Sequence, residues 1–116
     1  MDWRKFVQSF RYAFQGIVTA FSEQNMRFHM VSAVIVIMAG MITGLSNIEW
    51  CLIVCAIFLV FAAEIFNTAL ERVVDLASPD IHPLAKQAKD MAAGAVLVIA
   101  GMSVIIGVLI FLPKWL

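Results

Sequence analysis

Apolar residues run in three long blocks along this chain, and the polar residues gather between them. Phe28 to Ile48 is mostly apolar, Trp50 to Ala63 is fourteen apolar residues without a break, and Met91 to Leu112 carries no charge. About 20 predominantly apolar helical residues cross the roughly 30 Å hydrocarbon core of a bilayer. The pattern therefore predicts three spans, at about residues 28–47, 50–75 and 88–112. Ser46-Asn47-Ile48-Glu49 reads as a short polar turn. Ala77 to Pro83, with two prolines and Asp80, reads as a loop. Pro113 is expected to end the third helix, and Trp115 to anchor it at the interface. The second helix, running towards Leu76, is some 40 Å long at about 1.5 Å per residue and should protrude from the membrane.

Residues 3–24 show a different periodicity. Trp3, Phe6, Val7, Phe10, Phe14, Ile17, Val18 and Phe21 recur close to a helical stripe, with Arg4, Lys5, Gln8, Arg11 and Gln15 elsewhere. This predicts an amphipathic helix lying on the membrane surface. The fold class expected is thus all-α integral membrane, one domain of 116 residues with a surface helix and three transmembrane helices.

Composition strengthens the membrane reading. Hydrophobic residues make up 63% and charged residues 14%, against about 45–50% apolar in a soluble domain. Net charge is zero and no basic tract is present, so no nucleic-acid partner is expected. Seven of the eight Lys/Arg residues lie in 1–27 and 72–89. The positive-inside tendency then puts the N-terminus and the 72–90 loop in the cytoplasm and the C-terminus outside. No cleavable signal peptide is expected. Cys51 and Cys55, one turn apart, read as lipid-facing or packing residues. Gly40 and Gly44 form a GxxxG pair, and Ala92-Ala93-Gly94-Ala95 is a run of small residues; both read as sites of close helix packing.

The second block ends in chemistry. Glu64, Asn67, Glu71 and Asp75 are spaced 3, 4 and 4 apart and share one helix face. Ionisable groups at membrane depth are costly and mark function. Measured from Trp50, Glu64 lies about 21 Å down the axis, inside the hydrocarbon, and Glu71 about 31 Å down, at the water edge. Partial desolvation makes Glu64 a better proton acceptor, suited to a general base. Glu71 is placed where hydrated Mg²⁺ can reach it. The cytoplasmic rim adds Glu23 and Arg27 before the first span, and His82, Lys86, Lys89 and Asp90 before the third. A structural alternative has Glu64 and Asn67 bonding neighbouring helices, with Arg72 or Lys89 neutralising Glu71 or Asp90. His29, alone at the start of the first span, reads as an interfacial packing residue. No GxxxxGK[ST] phosphate loop, kinase GxGxxG set or Gly-x-Ser-x-Gly elbow is present.

Glu64-x-x-Asn67-Thr68-Ala69-x-Glu71-x-x-Val74-Asp75, followed by Ala88-Lys89-Asp90-Met91-Ala92-Ala93-Gly94-Ala95-Val96-Leu97, resembles the prokaryotic diacylglycerol kinase family. The segments Glu23-x-Asn25-x-Arg27-Phe28-His29, His82-Pro83-Leu84-Ala85-Lys86-x-Ala88-Lys89-Asp90 and Ile110-Phe111-Leu112-Pro113-Lys114 resemble its Gram-positive undecaprenol kinase branch. The resemblance covers nearly the whole chain. It implies a homotrimer in the bacterial cell membrane, with active sites shared between protomers, that moves the γ-phosphate of ATP to a lipid hydroxyl. It implies Glu64 as the base, Asn67 as an orienting group, and Glu23 and Glu71 as Mg²⁺ ligands. Lys89 and Asp90 become nucleotide contacts, with Asp80 to His82 in the nearby loop. Lys5 (or Arg4) and Tyr12 become contacts to nucleotide or lipid head. Gly16 to Glu23 is one residue shorter than the family pattern, which leaves Lys5 and Tyr12 open by a position. His29 stands where the diacylglycerol-specific branch carries a carboxylate, which favours undecaprenol.

The expected function is ATP- and Mg²⁺-dependent phosphorylation of a membrane lipid hydroxyl, undecaprenol first and diacylglycerol as the alternative acceptor. A small proton-coupled transporter is the rival from another class, since a buried Glu in a short helical protein is also that signature. A purely structural membrane subunit is a third.

Overall fold

The computed structural model describes all residues from Met1 to Leu116. Four helices follow in order: α1 Trp3–Phe21, α2 Gln24–Thr43, α3 Asn47–Ala77 and α4 Pro83–Trp115. Each start has a local cause. Asp2 caps α1, its carboxylate accepting from the Arg4 and Lys5 amides at 3.0 and 3.4 Å. Ser46 caps α3 through a reciprocal pair: Ser46 Oγ accepts from the Glu49 amide at 3.2 Å, and Glu49 Oε1 accepts from the Ser46 amide at 2.9 Å. His82 caps α4, and Pro83 occupies the first helical position, where its missing N–H costs nothing.

Three of the helices are long and apolar enough to cross a membrane. At 31 and 33 residues, α3 and α4 are about 46 and 50 Å long. They form the main pair, and they run antiparallel, since Lys89 meets Asp75 at one end and Lys114 meets Glu49 at the other. α2 packs against this pair, and α1 touches α2 and α3 near its C-terminal end, where Phe21 stacks edge-on against Phe61 with centroids 5.5 Å apart. A tight cluster of Ile53, Ile110 and Phe111 sits where α3 begins and α4 ends, the outer end of the pair; the opposite end is its inner end. Only 13 of the 116 residues are buried, so most apolar side chains are left for lipid or further subunits.

Four expectations need correction. Ser46–Glu49 is not a turn: Asn47 begins α3, and the Ser-x-x-Glu spacing is its capping box. The turn is Gly44–Ser46, and α2 lies nearer the N-terminus than residues 28–47, because Gly44 takes φ +81°, a left-handed backbone that stops the helix. Gly40 and Gly44 are therefore not a paired helix-packing motif. Gly44 makes the turn, while at Gly40 an added Cβ would stand 2.7 Å from the Trp50 ring of the same chain. Pro113 does not end α4, which continues to Trp115. In the last turn the proline removes one hydrogen bond only. The turn is held from outside by Trp115 Nε1 donating to Thr43 Oγ1 at 2.9 Å and by Lys114 lying 3.1 Å from Glu49.

Cys51 and Cys55 are free and exposed on α3, and Gly94 has open space where a Cβ would stand.

Candidate active site

Three polar side chains are buried in the chain: Glu64 (3% exposed), Asn67 and Thr68. All lie on the face of α3 read from the 64/67/71/75 spacing, directed at the other helices rather than at lipid. Below them Glu71 is half-buried and accepts from Asn67 Nδ2 at 3.3 Å. Asn67 Oδ1 is buried and has no partner. Buried polar atoms are nearly always hydrogen-bonded, so this oxygen is an open acceptor in an otherwise packed position.

Opposite Glu64 stands His29 on α2, its Nε2 3.6 Å from Glu64 Oε2. Sequence reasoning missed this pair. His29 and Glu64 are 35 residues apart in the sequence, and only the antiparallel packing of α2 on α3 brings them together. His29 also closes one end of an apolar groove of about 570 Å³, floored by Ala33, Ala56 and Val60 and reaching Trp115 at the other end. Along α4 that groove runs from Ala100 to Trp115, about 22 Å at 1.5 Å per residue.

The rim charges pair differently from the expected structural alternative. Arg72 does not neutralise Glu71. It reaches Glu23 at 2.8 Å, fastening the α1–α2 corner to α3 one residue away from Glu71. Glu23 occupies the N-cap of α2 but makes no side-chain cap, which leaves its carboxylate turned towards α3. Lys89 does not neutralise Asp90: it bonds Asp75 across the helix pair at 2.5 Å, and Asp90 pairs with Lys86 at 2.6 Å. Glu71 thus keeps Asn67 as its hydrogen-bond donor.

A second hollow of about 330 Å³ opens at the α3–α4 loop, bounded by Asp75, Asp80, His82, Lys86, Lys89 and Asp90. Four of the residues predicted for the nucleotide, Asp80, His82, Lys89 and Asp90, come together there. His82 Nδ1 accepts from the Leu84 amide at 3.1 Å, which ties the loop to the start of α4. Lys5 and Tyr12 do not join the group within one chain. Both are exposed on α1, and neither side chain makes a hydrogen bond or ion pair.

The donors suit a hard cation that shares its coordination with phosphate. Glu71 and Glu23 offer carboxylate oxygens, and Asn67 Oδ1 is unused. No three His, Cys, Asp or Glu side chains converge as a self-contained metal cage. Mg²⁺ is commonly held by one or two carboxylates plus substrate phosphates, and these residues fit that manner of binding.

A family model described as prokaryotic diacylglycerol kinase matches residues 11–111. The chain is 50% identical to an undecaprenol kinase of Bacillus subtilis, over 97% of this chain and 93% of that protein. It is 46% identical to a diacylglycerol kinase of Synechocystis over 93% of this chain, spanning 63% of that longer protein. A diacylglycerol kinase of Helicobacter pylori is 30% identical over 83% of this chain and 76% of its own length. With a buried Glu64-x-x-Asn67 face on one helix and a Lys89-Asp90 rim on the next, the chain belongs to the prokaryotic diacylglycerol kinase family.

Proposed function

We propose that this protein transfers the γ-phosphoryl group of ATP to the hydroxyl of undecaprenol, giving undecaprenyl phosphate. The observation that carries this reading is Glu64, a buried carboxylate whose partner His29 closes one end of a long apolar groove. A groove about 22 Å long suits a prenyl or acyl tail, and it leads a terminal hydroxyl towards Glu64. The seven residues from Glu64 to Glu71 then span about 10 Å, from the lipid hydroxyl to the water edge where a nucleotide arrives.

Phosphoryl transfer needs position, charge neutralisation and a base, and little covalent chemistry from protein. Glu64 takes the hydroxyl proton. Asn67 orients Glu71. Lys89 meets phosphate as a point charge, held in place by Asp75, while Asp80, His82 and Asp90 shape the nucleotide hollow. Glu23 and Glu71 hold Mg²⁺, which when bound offsets phosphate charge. Arg72 keeps Glu23 at the rim for that purpose. Lys5 and Tyr12 reach nucleotide or lipid head only with α1 on the membrane surface, where its exposed Trp3, Phe6, Phe10 and Phe14 enter the interface. The setting is the bacterial cell membrane, with the N-terminus and the Ser78–His82 loop cytoplasmic.

We assign a homotrimer with shared sites. The unpartnered Asn67 oxygen and the separation of α1 from the loop hollow both favour groups supplied by a neighbouring copy. Mixing Glu64→Gln and Lys89→Ala chains tests this: recovered activity supports shared sites, and none argues for sites within one chain.

Diacylglycerol is the second acceptor, favoured by the names of the Synechocystis and Helicobacter relatives. Purified protein offered Mg-ATP with either lipid in mixed micelles separates the two. Faster turnover of undecaprenol is expected, and much faster turnover of diacylglycerol would reverse the assignment. Substrate flux in vesicles without any lipid phosphorylation would favour a transporter instead.

A further inference from the structure

We infer that His29 is the exit through which Glu64 sheds the proton it takes from the lipid hydroxyl. The inference rests on the lipid-kinase reading above.

A base buried at membrane depth has a problem that a surface base lacks. After each transfer it carries a proton, and it must lose that proton before the next lipid can react. Glu64 is 3% exposed, and its neighbours on α3, Asn67 and Thr68, are buried too. An amide and a hydroxyl hydrogen-bond well but do not take up a proton at neutral pH. Glu71, one turn further on α3, is engaged by Asn67. From α4, Lys89 is turned to Asp75, and Arg72 of α3 is turned to Glu23. His29 from α2 brings its Nε2 to 3.6 Å from Glu64 Oε2, and its side chain is 14% exposed against 4% for Glu64. The imidazole is the side chain suited to taking up and releasing protons near neutral pH. A separation slightly beyond hydrogen-bond length is usual for a catalytic contact before substrate is bound. The Phe28 ring stands edge-on to His29 with centroids 5.7 Å apart, steadying the imidazole at the mouth of the groove.

The transfer balances as follows. The hydroxyl O–H bond breaks while its oxygen bonds to the γ-phosphorus. The bond from that phosphorus to the β–γ bridging oxygen breaks, and ADP leaves with its electron pair. The proton passes to a Glu64 carboxylate oxygen, then to His29 Nε2, then to water. His29 touches no reacting atom in this scheme and acts only through Glu64.

The test uses His29→Gln and His29→Ala in the full-length protein, with undecaprenol and Mg-ATP in mixed micelles. Glutamine keeps a side chain able to hydrogen-bond Glu64 but cannot carry the proton. Both variants should lose kcat by roughly 10²-fold, the low end for a positioned proton-transfer group, with both KM values little changed. Added imidazole should restore the kcat of His29→Ala in proportion to its free-base concentration. Near-normal kcat in His29→Gln overturns the inference, because hydrogen bonding alone would then suffice. A loss that imidazole does not restore overturns it too. A readout independent of turnover is the ¹⁵N resonance of His29 Nε2, which should differ between wild type and Glu64→Gln; an unchanged resonance refutes the contact. If the wild type phosphorylates neither lipid, the kinase reading falls and takes this inference with it. If the wild type is active and the variants match it, only the inference falls.

Discussion

The two ends of the α3–α4 pair treat their polar groups in opposite ways. At the outer end everything is matched. Ser46 and Glu49 satisfy each other across the start of α3, Lys114 closes on Glu49, and Trp115 donates to Thr43. At the inner end the exposed rim is paired as well, Arg72 with Glu23, Lys89 with Asp75 and Lys86 with Asp90, but the buried face beside it is not: Glu64 lies 3.6 Å from a histidine, Asn67 Oδ1 has no partner, and Glu71 has only an amide donor. Both ends have carboxylates, and α3 and α4 are equally continuous through both. The difference is whether the groups are finished within the chain. Matched groups staple helices, and unmatched buried groups wait for something else, since a lone buried polar atom costs free energy that folding alone does not repay.

Glu64→Gln breaks the inner end hardest. Phosphate transfer from labelled Mg-ATP to lipid should fall by about 10²–10⁴-fold, the contribution of a positioned general base, while calorimetry should show Mg-ATP binding retained. Normal turnover would remove Glu64 from its role. Asn67→Ala comes next. It frees Glu71 from its orienting donor and should cost about 10–100-fold in Mg²⁺ affinity or activity, as loss of an outer-shell partner does. Glu71→Gln should raise the Mg²⁺ concentration needed for half-maximal turnover, and an unchanged Mg²⁺ titration would take the metal away from this residue.

The outer end should respond in stability and not in turnover. Gly40→Ala drives a methyl group to 2.7 Å from the Trp50 ring and should cost about 1–3 kcal/mol by overpacking. The readout is a lowered Tm in detergent with kcat per folded molecule unchanged. Ser46→Ala is the mildest change, losing the α3 cap for about 1 kcal/mol. A large loss of kcat at folded concentrations in either variant would erase the contrast between the two ends.

Much of this molecule was legible in its sequence. Two charge-free stretches of more than 20 residues and the fourteen-residue block Trp50–Ala63, prolonged past Glu64 by the helical 64/67/71/75 spacing, set the three long helices. The 64/67/71/75 spacing placed its face correctly, because helical period depends on backbone geometry alone. The Ser46-x-x-Glu49 box was also readable and would have put the start of α3 at Asn47. Gly44 was harder, since its spacing from Gly40 imitates a packing motif, and only its positive φ shows that it makes a turn. What the tertiary structure alone decided was partnership. His29 with Glu64, Arg72 with Glu23 and Lys89 with Asp75 join different helices, and no local period relates them. Sequence determined which residues share a helix face and how far apart they lie along its axis, because those follow from rise and rotation per residue. The fold chose who faces whom, because that depends on how antiparallel helices slide against one another, set here by the Gly44 turn, the Ser78–His82 loop and the packing of Trp50 over Gly40.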